Sequence, residues 1–275
     1  MAAMRKWGMM ISGAALLLAG SGALVAQTTT KTSKPKPAPK SASKTTATTP
    51  AKTANTPPAP APAETKPAND NAALESVLDQ LDKAAADFKS TEADFVWDQY
   101  QKVVDETDTQ KGRIYFVRHE KDTHMAANVS EPDKKDLVFH DGKLKFYQPR
   151  IDQITEYDAT KNRGEVETFL VLGFGGRGHD LIKTFAVKFA GWENIDGVRT
   201  AKLELDPKSP KVKNTFEKII LWIDPARGVS LKQQFIEPSG DYRIAKYTNF
   251  KMNQKVSDDV FKLKTTPKTK VVKQQ

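Results

Sequence analysis

The chain has 275 residues, with 43 Lys and Arg against 34 Asp and Glu, a formal net charge of +9 and no cysteine. The missing cysteines exclude disulfides, zinc sites with thiolate ligands, iron–sulfur clusters and a thiol nucleophile. The positive charge lies at the two ends, because residues 71–261 hold 29 basic and 32 acidic residues, a net charge of −3. We therefore expect no nucleic-acid-binding face on the folded part and no nucleic acid partner.

Residues 1–26 have the pattern of a secretory signal peptide. Arg5 and Lys6 precede an uncharged apolar run, and small residues follow up to Ala26. This order of basic, apolar and small residues is typical of an export signal, with cleavage near Ala26. An uncleaved membrane anchor is the alternative, because residues 9–26 contain no charge. Export of a chain without cysteine indicates a periplasmic protein.

Residues 27–70 are rich in Pro, Thr, Ala and Lys and contain no aromatic residue. Such a composition cannot bury enough apolar surface to offset the entropy of ordering, so it predicts a disordered linker. A flexible coil of this length spans roughly 35–40 Å. It serves either as a spacer or as a basic tail that contacts an anionic envelope surface, an attraction that salt would weaken.

The predicted domain covers residues 71–275 and opens with a helix. Apolar residues from Leu74 to Phe88 recur at three- and four-residue spacing, which predicts an amphipathic helix. Asp70 or Asn71 is the expected N-cap of this helix.

Short strands joined by turns make up most of the remaining chain. The apolar period becomes two from Ala93 onward, which is typical of strands. The predicted strands in chain order are 93–98, 111–119, 137–140, 144–147, 152–158, 186–194, 198–206, 215–224, 229–237, 242–251 and 260–265. A helical segment is predicted at 163–174, and residues 181–185 are either a helical turn or the lead into the next strand. No β–α–β rhythm appears, so we predict a mainly β (α+β) fold, an incomplete and strongly curved antiparallel barrel covered by helices.

Several strands carry bulky apolar residues at alternate positions, and these residues would line the concave face of the curved sheet. The candidates for this wall are Phe95, Trp97, Ile114, Phe116, Phe139, Phe146, Phe169, Leu172 and Trp222. Periodicity leaves two interpretations open. The concave face is either filled by its own side chains or encloses a cavity for a ligand.

The sequence contains no pattern of catalytic or metal-binding residues. Residues 173–178 read GFGGRG and match the spacing of a dinucleotide loop, but that loop needs a strand before it and a long helix after it. Here a helix precedes the glycines, so Gly173, Gly175, Gly176 and Gly178 are predicted hinge positions. The four histidines lack the spacing of a helical metal pair. We predict a non-enzymatic protein with no catalytic residues, cofactor or metal ion.

The segment Leu137–Asp158 resembles a hairpin of the LolA family, the periplasmic outer-membrane lipoprotein carriers. It reads LVFHDGKLKFYQPRIDQITEYD. The residues that carry the similarity are Asp141, Gly142, Lys143, Tyr147, Pro149 and Gln153. The order of the other elements is also similar over most of residues 71–275, including Asp259–Leu263, which resembles the closing strand of the family.

This resemblance implies a barrel closed by a helical lid, with an apolar cavity that receives acyl chains. It implies a monomeric periplasmic carrier that moves acylated lipoproteins or other lipids from an inner-membrane donor to an outer-membrane acceptor. A sensor or binding module of the same fold, which docks a protein partner, is the alternative. Carriers of this family place an arginine that latches the lid where this chain has Asp94, and an aromatic residue is usual at the position of Lys145.

Overall fold

The computed structural model describes residues 67–119, 122–160 and 163–274. The predicted signal peptide and almost all of the predicted linker lie outside these residues. The first described element is helix α1, Pro67–Asp87, which begins before the expected caps and includes the last four residues of the predicted linker. Within the described residues, no helix is long and apolar enough to cross a membrane.

Strands dominate the described part of the chain. They are β1 (Ser90–Gln101), β2 (Glu106–His119), β3 (Asp122–Glu131), β4 (Lys135–His140), β5 (Lys143–Gln148), β6 (Gln153–Asp158), β7 (Phe185–Ile195), β8 (Val198–Pro207), β9 (Lys218–Asp224), β10 (Val229–Ile236), β11 (Tyr242–Met252) and β12 (Lys270–Gln274). The remaining helices are α2 (Arg163–Leu170), α3 (Gly178–Thr184), α4 (Pro210–Lys213) and the 3₁₀ turns Pro149–Ile151 and Asp258–Phe261.

All of these strands belong to one open, curled sheet in the order β12-β6-β5-β4-β3-β2-β1-β11-β10-β9-β8-β7. Neighbouring strands are antiparallel, except that β12 runs parallel to β6. Strand β1 pairs with both β2 and β11, so the first and last antiparallel strands of the domain meet there. The predicted fold class, an incomplete antiparallel barrel, is confirmed.

Strand β1 shows how the sequence assigns one face of the sheet to the core. Ala93, Phe95 and Trp97 are at most 6% exposed, whereas Asp94 and Val96 between them are half-buried. Successive side chains of a strand point to opposite faces, so this alternation gives one apolar face. We call it the inner face. It packs against α1 and against the segment that follows α2 in two apolar clusters.

Two parts of the strand prediction are wrong. Strand β3 was not predicted, because alanines interrupt its alternation of polar and apolar residues. Ala126 and Ala127 are adjacent and buried on opposite faces. The predicted last strand, 260–265, begins instead within a 3₁₀ turn, where the Ser257 hydroxyl accepts a hydrogen bond from the amide of Asp259. The final strand comes later, as β12. Its parallel pairing with β6 is a long-range contact that leaves no local sequence signal.

The segment between β11 and β12 runs over the outer face of the sheet, opposite the inner face. The Phe261 ring lies 5.8 Å from the ring of His124, an outer-face residue of β3. At the far edge, the hydroxyls of Thr266 and Thr269 donate to the Asp152 carboxylate at 2.6 and 2.5 Å. These two hydrogen bonds hold the pKa of Asp152 below its usual range. The segment thereby fixes β12 to the edge of the sheet.

Helices α1 and α3 are joined by His179. Its Nδ1 lies 2.8 Å from the Asp82 carboxylate, and its Nε2 lies 3.4 Å from Glu75. Beside it, Gly178 packs so closely on α1 that an added Cβ would overlap the carbonyl of Leu78. The hydrogen bond to Asp82, with a smaller contribution from Glu75, raises the pKa of His179. A protonated His179 therefore strengthens the contact between the two helices.

We expect His179→Gln to lower the free energy of unfolding at pH 5.5 and to have little effect at pH 8.5. The folded-state pKa of His179 is raised, so its ionic contribution is fully present below the unfolded value of about 6.5. It is lost as the pH rises through the folded-state pKa. Urea unfolding of both proteins at both pH values measures this, with Lys183→Gln on α3 as the control, whose effect should be the same at both pH values. Equal losses at both pH values would show that His179 acts through packing.

Candidate functional site

The inner face and the helices above it form an apolar cavity of about 130 Å³ that is partly open. Its wall combines side chains of the sheet with side chains of α2 and the turn after it. The lining residues are Trp97, Ile114, Phe116, Met125, Leu137, Leu144, Tyr157, Asp158, Ala159, Val166, Phe169, Leu170, Leu172, Phe174, Phe216, Gln233, Phe235, Arg243 and Tyr247. Most of them are aliphatic or aromatic, so the cavity suits an apolar ligand.

Helix α2 and the following turn, residues 163–177, form the lid of this cavity. Phe174 anchors the lid, because its ring stacks on Phe116 with centroids 4.4 Å apart and meets Tyr247 edge-on at 4.9 Å. In α2, the Glu167 carboxylate accepts a hydrogen bond of 2.9 Å from the backbone amide of Thr123 in β3. The lid is thus held by one aromatic anchor and a small number of polar contacts.

The glycines predicted as a hinge pack closely in the described conformation. Gly173 and Gly175 have positive φ angles of 79° and 69°, and their backbone pairs with the start of β10. A Cβ on Gly175 would overlap the ring of Phe88, and one on Gly178 would overlap the backbone of α1. Gly176 alone of the four has open space around it. Close packing explains three of these glycines, and a hinge function stays a prediction.

The glycine pair Gly175 and Gly176 allows a matched test of this packing. Gly175→Ala should lower the free energy of unfolding by roughly 2–4 kcal/mol, because it adds left-handed backbone strain to an overlap with Phe88. Gly176→Ala should change it by less than about 0.5 kcal/mol. Urea unfolding of the two variants measures the difference. Similar values for both would mean that Phe88 moves aside freely.

Arg118, which the sequence did not single out, links the sheet to both helical segments. Its Nη1 donates to the carbonyl of Ala85 in α1, and its Nη2 donates to the carbonyl of Gly175 in the lid, both at 2.6 Å. The guanidinium also lies over the Phe88 ring, 5.3 Å from its centroid. Burial lowers the pKa of Arg118, and the charge of Glu167 opposes this. Charge-assisted bonds of this kind are among the stronger hydrogen bonds in proteins.

The two positions at which the sequence departs from the family pattern, Asp94 and Lys145, both lie away from the lid. Asp94 lies on the outer face, where it accepts hydrogen bonds of 2.8 Å from Arg113 and Asn249. Lys145 also points outward, between the inner-face residues of β5. Neither departure from the family pattern therefore reaches the lid. Instead, Arg118 on the inner face of β2 contacts the lid through the carbonyl of Gly175.

Arg118→Gln should loosen the lid without unfolding the sheet. The substitution removes hydrogen bonds to a charged group, each worth about 1.5–3 kcal/mol. Amide hydrogen exchange in residues 171–175 should therefore become at least about tenfold faster. Arg113→Gln, which removes an outer-face arginine on the same strand, should leave these rates unchanged. Unaltered exchange in residues 171–175 of Arg118→Gln would contradict a latch.

Five of the nine predicted wall residues line the cavity: Trp97, Ile114, Phe116, Phe169 and Leu172. Three others are buried in the apolar cluster around it: Phe95, Phe139 and Phe146. Phe95 stacks directly on Trp97, with centroids 4.0 Å apart, and so supports the wall from one residue layer away.

The prediction for Trp222 is wrong, because this residue lies on the outer face of β9. Its Nε1 donates to Glu193 at 2.6 Å, and the Lys232 ammonium lies 4.2 Å from its ring centroid. All residues from Ile219 to Ile223 are apolar. A period of two cannot assign a face in such a strand, so the sequence offered no way to place this tryptophan.

The hairpin residues shape the edge of the sheet and do not line the cavity. Asp141 and Gly142 form the turn between β4 and β5, with φ angles of 52° and 70° that suit a two-residue hairpin turn. The remaining residues begin the elements that follow: Lys143 begins β5, Pro149 the 3₁₀ turn and Gln153 β6. The Tyr147 hydroxyl donates to Asp152 at 3.1 Å, which supports the carboxylate that binds the C-terminal threonines.

Two buried polar residues tie the lid to the inner face. Gln233 on β10 donates through Nε2 to the carbonyl of Leu172 at 2.6 Å, and the Tyr247 hydroxyl donates to Gln233 Oε1 at 3.2 Å. Burial raises the pKa of Tyr247 to about 12, so its hydroxyl keeps its proton at physiological pH. The sequence analysis missed both residues, although each is a polar position in an otherwise apolar inner-face series.

Three histidines lie together on the outer face. The His119 and His124 ring centroids are 4.3 Å apart, and those of His124 and His140 are 5.7 Å apart. Burial, and then the neighbouring histidines, lower the pKa of His124. No group of three or more acidic or histidine side chains in the described ranges could hold a metal ion.

Residues 86–264 match the model of a family described as outer membrane lipoprotein carrier protein LolA. This range covers more than half of the chain. A search of curated proteins gave no match to the sequence.

Solved structures with a similar fold include three from different bacteria. A LolA superfamily protein from Nitrosomonas europaea is 14% identical, with a TM-score of 0.36 over 69% of this chain and 97% of that chain. LprF from Mycobacterium bovis is 12% identical, with a TM-score of 0.39 over 68% and 96%. In the Pseudomonas aeruginosa MucA/MucB complex, the matched chain is 14% identical, with a TM-score of 0.42 over 70% and 61%. At these identities the likeness concerns the fold alone.

Proposed function

The chain belongs to the LolA family of outer membrane lipoprotein carriers, and we propose that it carries acyl chains through the periplasm in the cavity beneath its lid. The ligand class is acylated lipoproteins or other lipids. In this proposal the protein is exported by its N-terminal signal and works as a monomer. It receives its ligand from an inner-membrane donor and delivers it to an outer-membrane acceptor, while the basic linker spaces the domain from an anionic surface or contacts that surface.

The observation that carries this proposal is the apolar cavity between the inner face and the lid. Protein interiors are close-packed and contain few voids larger than a water molecule. A volume of about 130 Å³ lined by aromatic and aliphatic side chains is therefore unusual for a simple core. An acyl chain gains about 0.8 kcal/mol for each methylene group removed from water, so such a cavity favours an acyl ligand.

The size of the cavity requires the lid to move during binding. A cavity of about 150 Å³ accommodates a ligand of the size of benzene, and this cavity is slightly smaller. A chain of sixteen carbons needs several times that volume. We infer that the described conformation is the closed one, and that the lid swings out or shifts when a full acyl chain enters.

A cavity-filling variant tests the proposal. Ile114→Trp should weaken binding of a palmitoylated lipopeptide by at least about tenfold, because the added ring occupies the volume that the chain would fill. Tyr115→Trp, on the outer face of the same strand, should bind like the unchanged protein. Native mass spectrometry and displacement of a fluorescent acyl probe measure binding, and thermal unfolding confirms that both variants fold.

The same question is answered by what the protein carries in cells. Protein purified from the native envelope should release lipid or lipoprotein on organic extraction, as detected by mass spectrometry. Absence of lipid, together with equal acyl-probe binding by Ile114→Trp and the unchanged protein, would refute a carrier function. A stoichiometric crosslinked protein partner without lipid would instead support a binding module of the same fold.

A further inference from the structure

The apolar cavity contains a cation. Strand β11 places Arg243 on the inner face, in the same alternating series as Ala245 and Tyr247, and the arginine side chain lines the cavity wall. Its guanidinium lies 5.6 Å from the ring centroid of Trp97 and 4.9 Å from that of Phe235. An arginine at this position is not expected of a cavity that only covers methylene groups, because burying a charge is unfavourable without a partner.

Arg243 has no counter-ion within the described part of the chain. No carboxylate there forms an ion pair with it, and its guanidinium lies against the two aromatic rings. The charge of Glu237 acts on it only from a distance. Burial lowers the pKa of Arg243, although part of the side chain remains exposed. Arg118 differs in this respect, because its guanidinium donates hydrogen bonds of 2.6 Å to two backbone carbonyls.

Two buried N–H donors on this side of the cavity lack a well-placed acceptor. Arg243 Nε has no hydrogen-bond partner, and Trp97 Nε1, on a residue only 6% exposed, meets only the Tyr247 hydroxyl in poor geometry. Buried donors are almost always satisfied in proteins, so each such exception calls for an explanation. Both donors belong to residues that line the cavity and lie in contact with each other. A group that accepts hydrogen bonds and carries negative charge would satisfy both and neutralise the guanidinium.

We propose that Arg243 and Trp97 form a headgroup site inside the cavity, and that the preferred ligand is an acyl lipid with an anionic oxygen group, a carboxylate or a phosphate. This inference rests on the proposed function and specifies the ligand class. An ionised carboxylate or phosphate accepts hydrogen bonds without donating any, and it matches the planar fork of a guanidinium. The acyl chain of the ligand would then extend along the apolar wall.

Three ligands with the same sixteen-carbon chain test the headgroup site: palmitate, hexadecyl phosphate and the uncharged hexadecanol. The unchanged protein should bind at least one of the two anions about tenfold or more tightly than hexadecanol, and the tighter anion identifies the group as carboxylate or phosphate. Arg243→Met should abolish this preference and leave hexadecanol binding within about twofold. Lys246→Met removes a cation from the outer face of the same strand and should change none of the three affinities.

Trp97→Phe provides a second variant that keeps an aromatic ring and removes the N–H donor together with the five-membered ring of the indole. It should weaken binding of the anions several-fold more than binding of hexadecanol, because only the anions accept the hydrogen bond, and it serves if Arg243→Met does not fold. Equal affinity of the unchanged protein for all three ligands would refute the headgroup site, since bound water would then satisfy the donors. An equal loss for charged and uncharged ligands in Arg243→Met would also refute it, as a packing effect. If none of the three ligands binds, the proposed carrier function fails with it.

Discussion

Covering the apolar inner face of one open sheet is the constraint on which the rest of the structure depends. The face extends over strands on both sides of β1, and α1 with its neighbour α3 covers one part of it. The other part is left to the lid, whose helix has only eight residues. This short lid is fixed to the sheet by Phe174, whose ring packs against Phe116 and Tyr247. The space beside this anchor is not filled by side chains, and that space is the cavity.

The outer face is stabilised by a different device. The chain crosses it after β11, and side chains beneath, such as Ala126 and Val138, are almost fully buried although they point away from the core. Asp152 fixes the end of this crossing through two threonine hydroxyls. The hairpin that carries the family resemblance therefore serves the sheet edge, and the ligand cavity depends on residues elsewhere. None of the six hairpin residues that carry the family resemblance lines the cavity.

The sequence predicted those parts of the fold in which a local residue pattern is compatible with only one structure. The strict alternation in β1 and the Asp141-Gly142 turn specify their structure without reference to distant residues. Trp222 could not be placed, since a strand that is apolar on both faces fits either orientation. Strand β12 depends on pairing with a strand more than a hundred residues away. Arg118 and Arg243 look alike in sequence, and only the folded chain shows that one is satisfied by carbonyls and the other is not.

The strength of the lid contacts is matched to the ligand that we propose. Three side-chain hydrogen bonds hold the lid in addition to the backbone bonds of Gly173 and Gly175: the bond from Arg118 to Gly175, the bond from Gln233 to Leu172 and the bond to Glu167 in α2. The two bonds with a charged partner are worth about 1.5–3 kcal/mol each and the neutral bond about 0.5–1.5 kcal/mol, so these three sum to roughly 3.5–7.5 kcal/mol. Burial of about ten methylene groups contributes roughly 8 kcal/mol, so a long acyl chain can displace the lid and a short one cannot. Because the two quantities are close, opening remains reversible, which a carrier needs in order to release its ligand. Gln233 lies on β10, which pairs with β11, the strand that carries Arg243. A headgroup bound at Arg243 would therefore act directly on one of the contacts that keep the lid closed.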